Sequence, residues 1–174
     1  ATTPATAHCD AIQVAQDRID AWRSAFDDAG MTLTAEWHTS AAESGKSPHW
    51  CATQRADTAV SADVLAQILD VPLSNACRYA GPGTTTRLTV TTDPGWVTIT
   101  VADDGTGVPD SELGQLTTRF FRGSTATGRT GSGLGLPIAD ALVTSRHGRL
   151  TVRAADPHGL AVVITLPAAT VEQP

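Results

Sequence analysis

The chain has 174 residues, 41% of them hydrophobic and 17% charged, with a formal net charge of −6. That balance fits one folded domain with a real core and argues against a disordered chain. No apolar run approaches the roughly 18–20 residues that cross a bilayer, and scattered basic residues under a net negative charge argue against a nucleic-acid surface. Residues 1–9 lack the charged and apolar regions of a signal peptide and read as a disordered lead-in or the cut edge of a longer protein. Cys9, Cys51 and Cys77 show no CxxC pair or metal-ligand spacing. They read as core or incidental thiols and suit a reducing compartment.

From Asp10 to Ala29, apolar Ile12, Ala15, Ile19, Trp22 and Phe26 recur at steps of three and four. This predicts an amphipathic helix with Asp10 as N-cap and Gly30 as the left-handed residue after it. The period then drops to two, with Met31, Leu33, Ala35 and Trp37 on one side of a strand. Residues 38–49 read as a polar loop, and Trp50 to Ala56 as the returning strand of a hairpin. A second helix is predicted from Ser61 to Tyr79, with Val64, Ile68, Val71, Asn75 and Tyr79 as its inward stripe. Two readings stand for Asn75, the one amide on that stripe: a buried side chain bonded to a neighbouring loop, or a ligand-binding group. Pro72 inside this helix breaks the usual rule for helix interiors and marks a candidate kink.

Gly81-Pro82-Gly83 ends the helix, and two strands follow, 87–92 and 96–103, joined by Asp93-Pro94-Gly95. Parity puts Asp103 on the inner face with Val97, Ile99 and Val101, where a carboxylate needs a partner. Asp104 points the other way. Residues 105–133 show no periodicity beyond a short helix near 111–116, as in a lid or disordered segment. A third helix follows Gly133, with Pro137 in its first turn, Leu134, Ile138, Ala141 and Leu142 on one side, and Gly148 closing it. Strands at 149–154 and 160–166 form a terminal hairpin around Asp156-Pro157-His158-Gly159, and Pro167 onward reads as tail. The class is α+β, a mixed or antiparallel sheet with helices on one face.

Two glycine segments stand out, Asp103-Asp104-Gly105-Thr106-Gly107 and Gly131-Ser132-Gly133-Leu134-Gly135-Leu136. Glycines there permit positive φ and close backbone approach to a ligand, and a helix start beyond them offers free N–H donors to an anion. The second segment lacks the G-x-G-x-x-G spacing and a preceding strand, so it is no dinucleotide fingerprint. A P-loop is excluded too, since the only lysine is Lys46 in the polar loop.

Four segments, taken together and in order, resemble the N, first-glycine, F and second-glycine boxes of the ATP-binding catalytic domain of bacterial sensor histidine kinases. These kinases belong to the GHKL superfamily, with gyrase-type ATPases and heat-shock chaperones. The segments are 67–79 around Asn75, Asp103–Gly107, Arg119-Phe120-Phe121-Arg122 and Gly131–Leu136. The resemblance covers residues 10–167, leaving 168–174 as tail. It implies a two-layer α/β sandwich, with about five strands in a mixed sheet, three helices on one face and an ATP lid.

The same resemblance implies ATP and Mg²⁺ as cofactors. Asn75 would ligate the metal, and Asp103 would accept from the adenine amine, with Gly105 and Gly107 close to the base. Gly131, Gly133, Leu134, Gly135 and Leu136 would hold the phosphates. Arg78 and Arg122 would supply charge to the phosphates or stay solvated, and Tyr79 would pack by the nucleotide or in the core. The implied activity is transfer of the γ-phosphate to a histidine on a separate dimerisation domain of the same kinase, in a two-component system with a response regulator. The implied setting is a cytoplasmic domain of a membrane-anchored sensor, monomeric as a fragment.

Two departures qualify the resemblance. Hydrolysing members carry a Glu four residues before the metal-binding Asn, and kinases commonly a second Asn; here the residue is Val71, which cannot act as a base. Thr117-Thr118 replaces the aromatic-acid pair before the F-box arginine. None of His8, His38, His49, His147 or His158 has the context of a phosphoaccepting histidine, so a catalytic fragment is expected. Two other readings stand: an ATP-hydrolysing relative, and a nucleotide-binding regulatory module without kinase activity, with an anti-sigma-type serine kinase as a near variant.

Overall fold

The computed structural model describes residues 7–39, 55–119 and 133–169. A two-residue strand, Cys9–Asp10 (β1), leads directly into helix α1, Ala11–Asp28. Asp10 caps that helix as predicted, its carboxylate accepting from Ile12 N at 3.0 Å, and the same oxygen also accepts from Ala56 N at 3.0 Å. Gly30 takes φ +68° and turns the chain into β2, Thr32–Thr39.

The expected hairpin return is not seen among the described residues. Residues 50–54 lie outside them, and the next strand, Asp57–Thr58 (β3), pairs antiparallel with β1 rather than with β2. The bond from Asp10 to Ala56 shows why: the helix cap holds this segment beside the start of α1.

Helix α2, Ala62–Tyr79, begins at Ser61, whose hydroxyl accepts from Val64 N. It runs through Pro72, and its buried face is Leu65, Ile68, Leu69, Pro72, Leu73 and Ala76. Of the predicted stripe only Ile68 is fully buried. Val64, Val71, Asn75 and Tyr79 lie half-buried along one flank. The sequence offers two adjacent apolar stripes, and the sheet takes the one with the larger aliphatic surface.

Strands β4, Thr85–Asp93, and β5, Trp96–Asp103, form an antiparallel pair around Gly95 at φ +82°. Helix α3, Asp110–Leu113, is a single turn. Helix α4, Gly135–Thr144, buries Leu136, Pro137, Ala139 and Val143, whereas Ile138 is 51% exposed. The predicted side was therefore the wrong one, because this helix is apolar nearly all round and periodicity alone does not choose a face. His147, not a glycine, takes the left-handed conformation after it (φ 62°). Gly148 is needed for space, since a Cβ would stand 2.5 Å from Thr165 O.

Strands β6, Arg149–Ala154, and β7, Leu160–Pro167, complete a mixed sheet in the order β2-β4-β5-β7-β6, with β2 parallel to β4 and the other pairs antiparallel. Register stacks Leu33 and Ala35 of β2 beside Thr86 and Leu88 of β4, then Val101 of β5 and Val162 of β7. On this inner face α1, α2 and α4 bury one continuous core. The α+β class with a mixed five-stranded sheet stands as read. The expected tail begins as structure: Pro167 closes β7, Ala168 N donates to Gly95 O, and Ala169 N donates to Asp57 O.

Trp22 Nε1 donates to Asp70 Oδ1 at 2.8 Å, with Arg18 at 3.5 Å from the same carboxylate, so α1 and α2 are tied beyond their apolar contact. Because the Asp10 carboxylate serves both α1 and Ala56, Asp10→Ala should cost about 1–2 kcal/mol, the upper end for a lost cap. Chemical denaturation checks this, as a lower midpoint at unchanged slope.

Candidate functional site

One end of α2 collects the singled-out residues. Asn75 and Tyr79 share its half-buried flank at a four-residue step, and Arg78 is exposed beside them. The half-buried Asn75 side chain makes no hydrogen bond to a described residue, which favours the ligand reading over the buried-amide reading. Arg78 and Tyr79 have interactions of their own.

The first glycine segment lies against the C-terminal end of this helix. Gly105 is buried, and a Cβ there would meet Ala80 Cα at 2.7 Å and Ala80 O at 2.8 Å, so only glycine fits. Gly107 has φ +67°, and a Cβ on it would meet Gly159 O at 2.8 Å. Asp103 faces inward as parity required. Its Oδ1 accepts from Gly105 N at 3.0 Å and Leu160 N at 3.3 Å, while Oδ2 makes no hydrogen bond to a described residue. Asp104 points away and accepts from Thr85 N at 2.6 Å, locking the end of β5 to β4.

The second glycine segment reaches the same helix about two and a half turns earlier. A Cβ on Gly135 would stand 3.3 Å from Val71 Cγ1, so the first turn of α4 lies directly against α2. No side chain caps α4. The N–H groups of Gly135 and Leu136 have no intrahelical acceptor, and Pro137 has no N–H to offer. Gly133 takes φ +69° just before, and Leu134 is the half-buried N-cap residue. Gly131 and Arg122 lie outside the described residues, as do Phe120 and Phe121. From Val71 to Ala80 the wall of the site extends about 14 Å along the axis of α2, the scale of an extended nucleoside triphosphate.

Three contributors were not singled out from the sequence. Leu160 supplies an N–H to Asp103. His158 Nδ1 lies 3.0 Å from Gly105 O. Thr86, paired with Asp103 across β4 and β5, is fully buried, and its hydroxyl has no partner among the described residues. A polar atom in that state calls for a bound water or a ligand group. The signal for Leu160 and His158 was the sheet order, since β7 beside β5 brings the 156–159 turn to the Asp103 end, and for Thr86 it was the register of β4 with β5. Among the described residues no three His, Cys, Asp or Glu side chains gather as a metal site. A single amide oxygen suits only a hard cation that keeps its waters and is held mainly by phosphate.

Burial raises the Asp103 pKa above the ordinary value of 3.8, and the two backbone N–H donors pull it back; Asp104 raises it and His158 lowers it by charge. The folded chain thus holds this proton more tightly than the unfolded chain. That contribution to stability is complete below the unfolded pKa and is lost as pH rises through the folded one. Asp103→Asn keeps an acceptor for both N–H groups and removes the titration. Its stability relative to the parent should rise between about pH 4 and pH 7; thermal melting across that range checks this, and a constant difference would contradict it.

Residues 61–170 match the family model described as histidine kinase-, DNA gyrase B- and HSP90-like ATPase. The sensor protein kinase WalK of Staphylococcus aureus is 30% identical over 114 residues, 63% of this chain and 28% of that protein. The chain thus spans less than a third of the curated relatives it matches. Among solved structures, the mycobacterial sensor histidine kinase MprB superposes with a TM-score of 0.76 at 25% identity, covering 92% of this chain and 97% of that one. The catalytic domain of histidine kinase ThkA shares the fold, with a TM-score of 0.74 at 14% identity over 92% and 93% of the two chains. With the glycine contacts along α2, these likenesses lead to one conclusion: the chain belongs to the histidine kinase-, DNA gyrase B- and HSP90-like ATPase family, as an ATP-binding catalytic domain of the sensor histidine kinase type.

Proposed function

We propose that this domain binds Mg·ATP along α2 and presents the γ-phosphate to a histidine on a separate dimerisation domain of a two-component sensor kinase. The observation that carries the reading is the convergence of both glycine segments on α2, Gly105 at Ala80 and Gly135 at Val71, with unpartnered Asn75 between them.

The adenine lies at the Asp103 end. The free Oδ2 accepts from its exocyclic amine, and glycine at 105 and 107 lets the loop pack against Ala80 and Gly159, which sets where that carboxylate meets the base. The phosphates lie at the start of α4, where the N–H groups around Gly135 and Leu136 and the positive end of the helix face them. Gly133 and Leu134 shape that turn, and the four-box resemblance assigns Gly131 to the phosphates as well. Arg78 and Arg122 add charge to the phosphates, and Tyr79 covers the nucleotide beside Asn75. The Asn75 amide oxygen would be the protein's ligand to Mg²⁺, and the metal would supply charge neutralisation to the phosphates.

Phosphoryl transfer demands positioning more than bond-making chemistry from the protein. An unprotonated imidazole nitrogen attacks the γ-phosphorus, the N–P bond forms, the bridging P–O bond breaks, and ADP leaves. Val71 stands where the hydrolysing relatives place a base, so water is not activated and the phosphate is kept for the histidine. That residue disfavours the ATPase reading. A sensor kinase of this type is membrane-anchored and passes its phosphoryl group to a response regulator. No helix among the described residues is long and apolar enough to cross a membrane.

Incubation with ATP, Mg²⁺ and a cognate histidine-bearing domain should yield acid-labile phosphate on that domain, with negligible steady ATP turnover by this chain alone. Turnover without transfer would favour an ATPase, and binding without either a regulatory module. Asn75→Ala should reduce the Mg²⁺-dependent gain in ATP affinity on the order of tenfold, leaving the Mg²⁺-free affinity near the parent's; calorimetry with and without the metal separates the two.

A further inference from the structure

The turn between β6 and β7 does more than join two strands. It reaches the adenine loop at three points. Leu160 N donates to Asp103 Oδ1 at 3.3 Å, Gly107 sits against Gly159 O, and His158 Nδ1 lies 3.0 Å from Gly105 O. The turn itself is braced by Ala155 N donating to Gly159 O at 3.0 Å. Gly159, at φ +108°, leaves no room for a side chain against the Asp103 carbonyl.

A carbonyl oxygen only accepts, so the hydrogen of the His158 contact resides on Nδ1. Gly105 is buried, and both of its backbone groups are thereby engaged, N–H by Asp103 and C=O by His158. The peptide that carries the adenine loop past Ala80 is held from both sides. Without the imidazole, Gly105 O loses its partner and the loop gains freedom beside the base-reading carboxylate.

We propose that His158 is a positioning residue for adenine recognition, clamping Gly105 so that Asp103 Oδ2 is presented to the base. The role rests on the nucleotide reading above and adds to it a residue outside the four boxes. It acts on the base half of the ligand alone, because the phosphate half lies at the start of α4, against Val71.

Calorimetric titration of the whole chain with Mg·ATP and, separately, with Mg²⁺ and inorganic tripolyphosphate tests it. His158→Ala should weaken ATP about threefold to tenfold, the worth of one hydrogen bond to a backbone group, and leave tripolyphosphate unchanged. His158→Asn carries an amide N–H at the position of Nδ1 and should restore ATP affinity to within about twofold of the parent. An unchanged ATP affinity in His158→Ala overturns the role, as does an equal loss for tripolyphosphate or no rescue by Asn. A parent chain that binds no ATP overturns the nucleotide reading and this role with it.

Discussion

Three stretches of main chain meet at one end of the sheet with almost no side chain between them. Ala80 at the end of α2, Gly105 in the loop after β5, and Gly159 before β7 approach so closely that a methyl group at either glycine would collide with backbone. Everything else about the site follows from that contact. It fixes how far β5 extends before the chain turns, and therefore where the Asp103 carboxylate stops. It also forces that carboxylate to serve its own loop and the neighbouring strand through one oxygen. A backbone junction of this kind has little slack, because peptide groups cannot change rotamer as side chains do.

The helices give the site a direction. Helix α2 ends at the Asp103 side, with Arg78 in its last turn, and α4 begins beside Val71. The negative pole of one helix and the positive pole of the other are thus presented about one nucleoside triphosphate length apart. On the proposed reading, an anion is drawn to the α4 end, and a neutral hydrogen-bonding base is left for the carboxylate end. The chain as a whole is acidic, yet this local arrangement needs few cationic side chains to hold phosphate.

What could be read from the sequence was what is decided locally. Asp10 and Ser61 cap the helices they precede, and the two-residue period around Leu88 and Ile99 gives strands whose inward side is correct. The inward parity of Asp103 followed from the same rule. Which face of α2 and α4 is buried was not legible, because both helices are apolar on adjacent sides and only the sheet decides between them. The pairing of Asp57–Thr58 with Cys9–Asp10 was hidden for a different reason: it joins segments nearly fifty positions apart. His158 and Leu160 came to the site through the adjacency of β5 and β7, which no short window of sequence encodes.

The small ribbon of β1 and β3 has a practical side. Thr58 Oγ1 and Ala59 N both donate to Pro167 O, and Pro167 lies opposite Trp96, at the far end of β5 from Asp103. Seven residue steps along the strand separate the two ends, roughly 23 Å. A dye, a surface linker or a fused partner attached ahead of Cys9 is therefore anchored by the ribbon at the pole remote from the ligand. Such a handle leaves the Asp103 end of the sheet uncovered, which makes the ribbon the natural point of immobilisation for measuring binding at the proposed nucleotide site on a sensor surface.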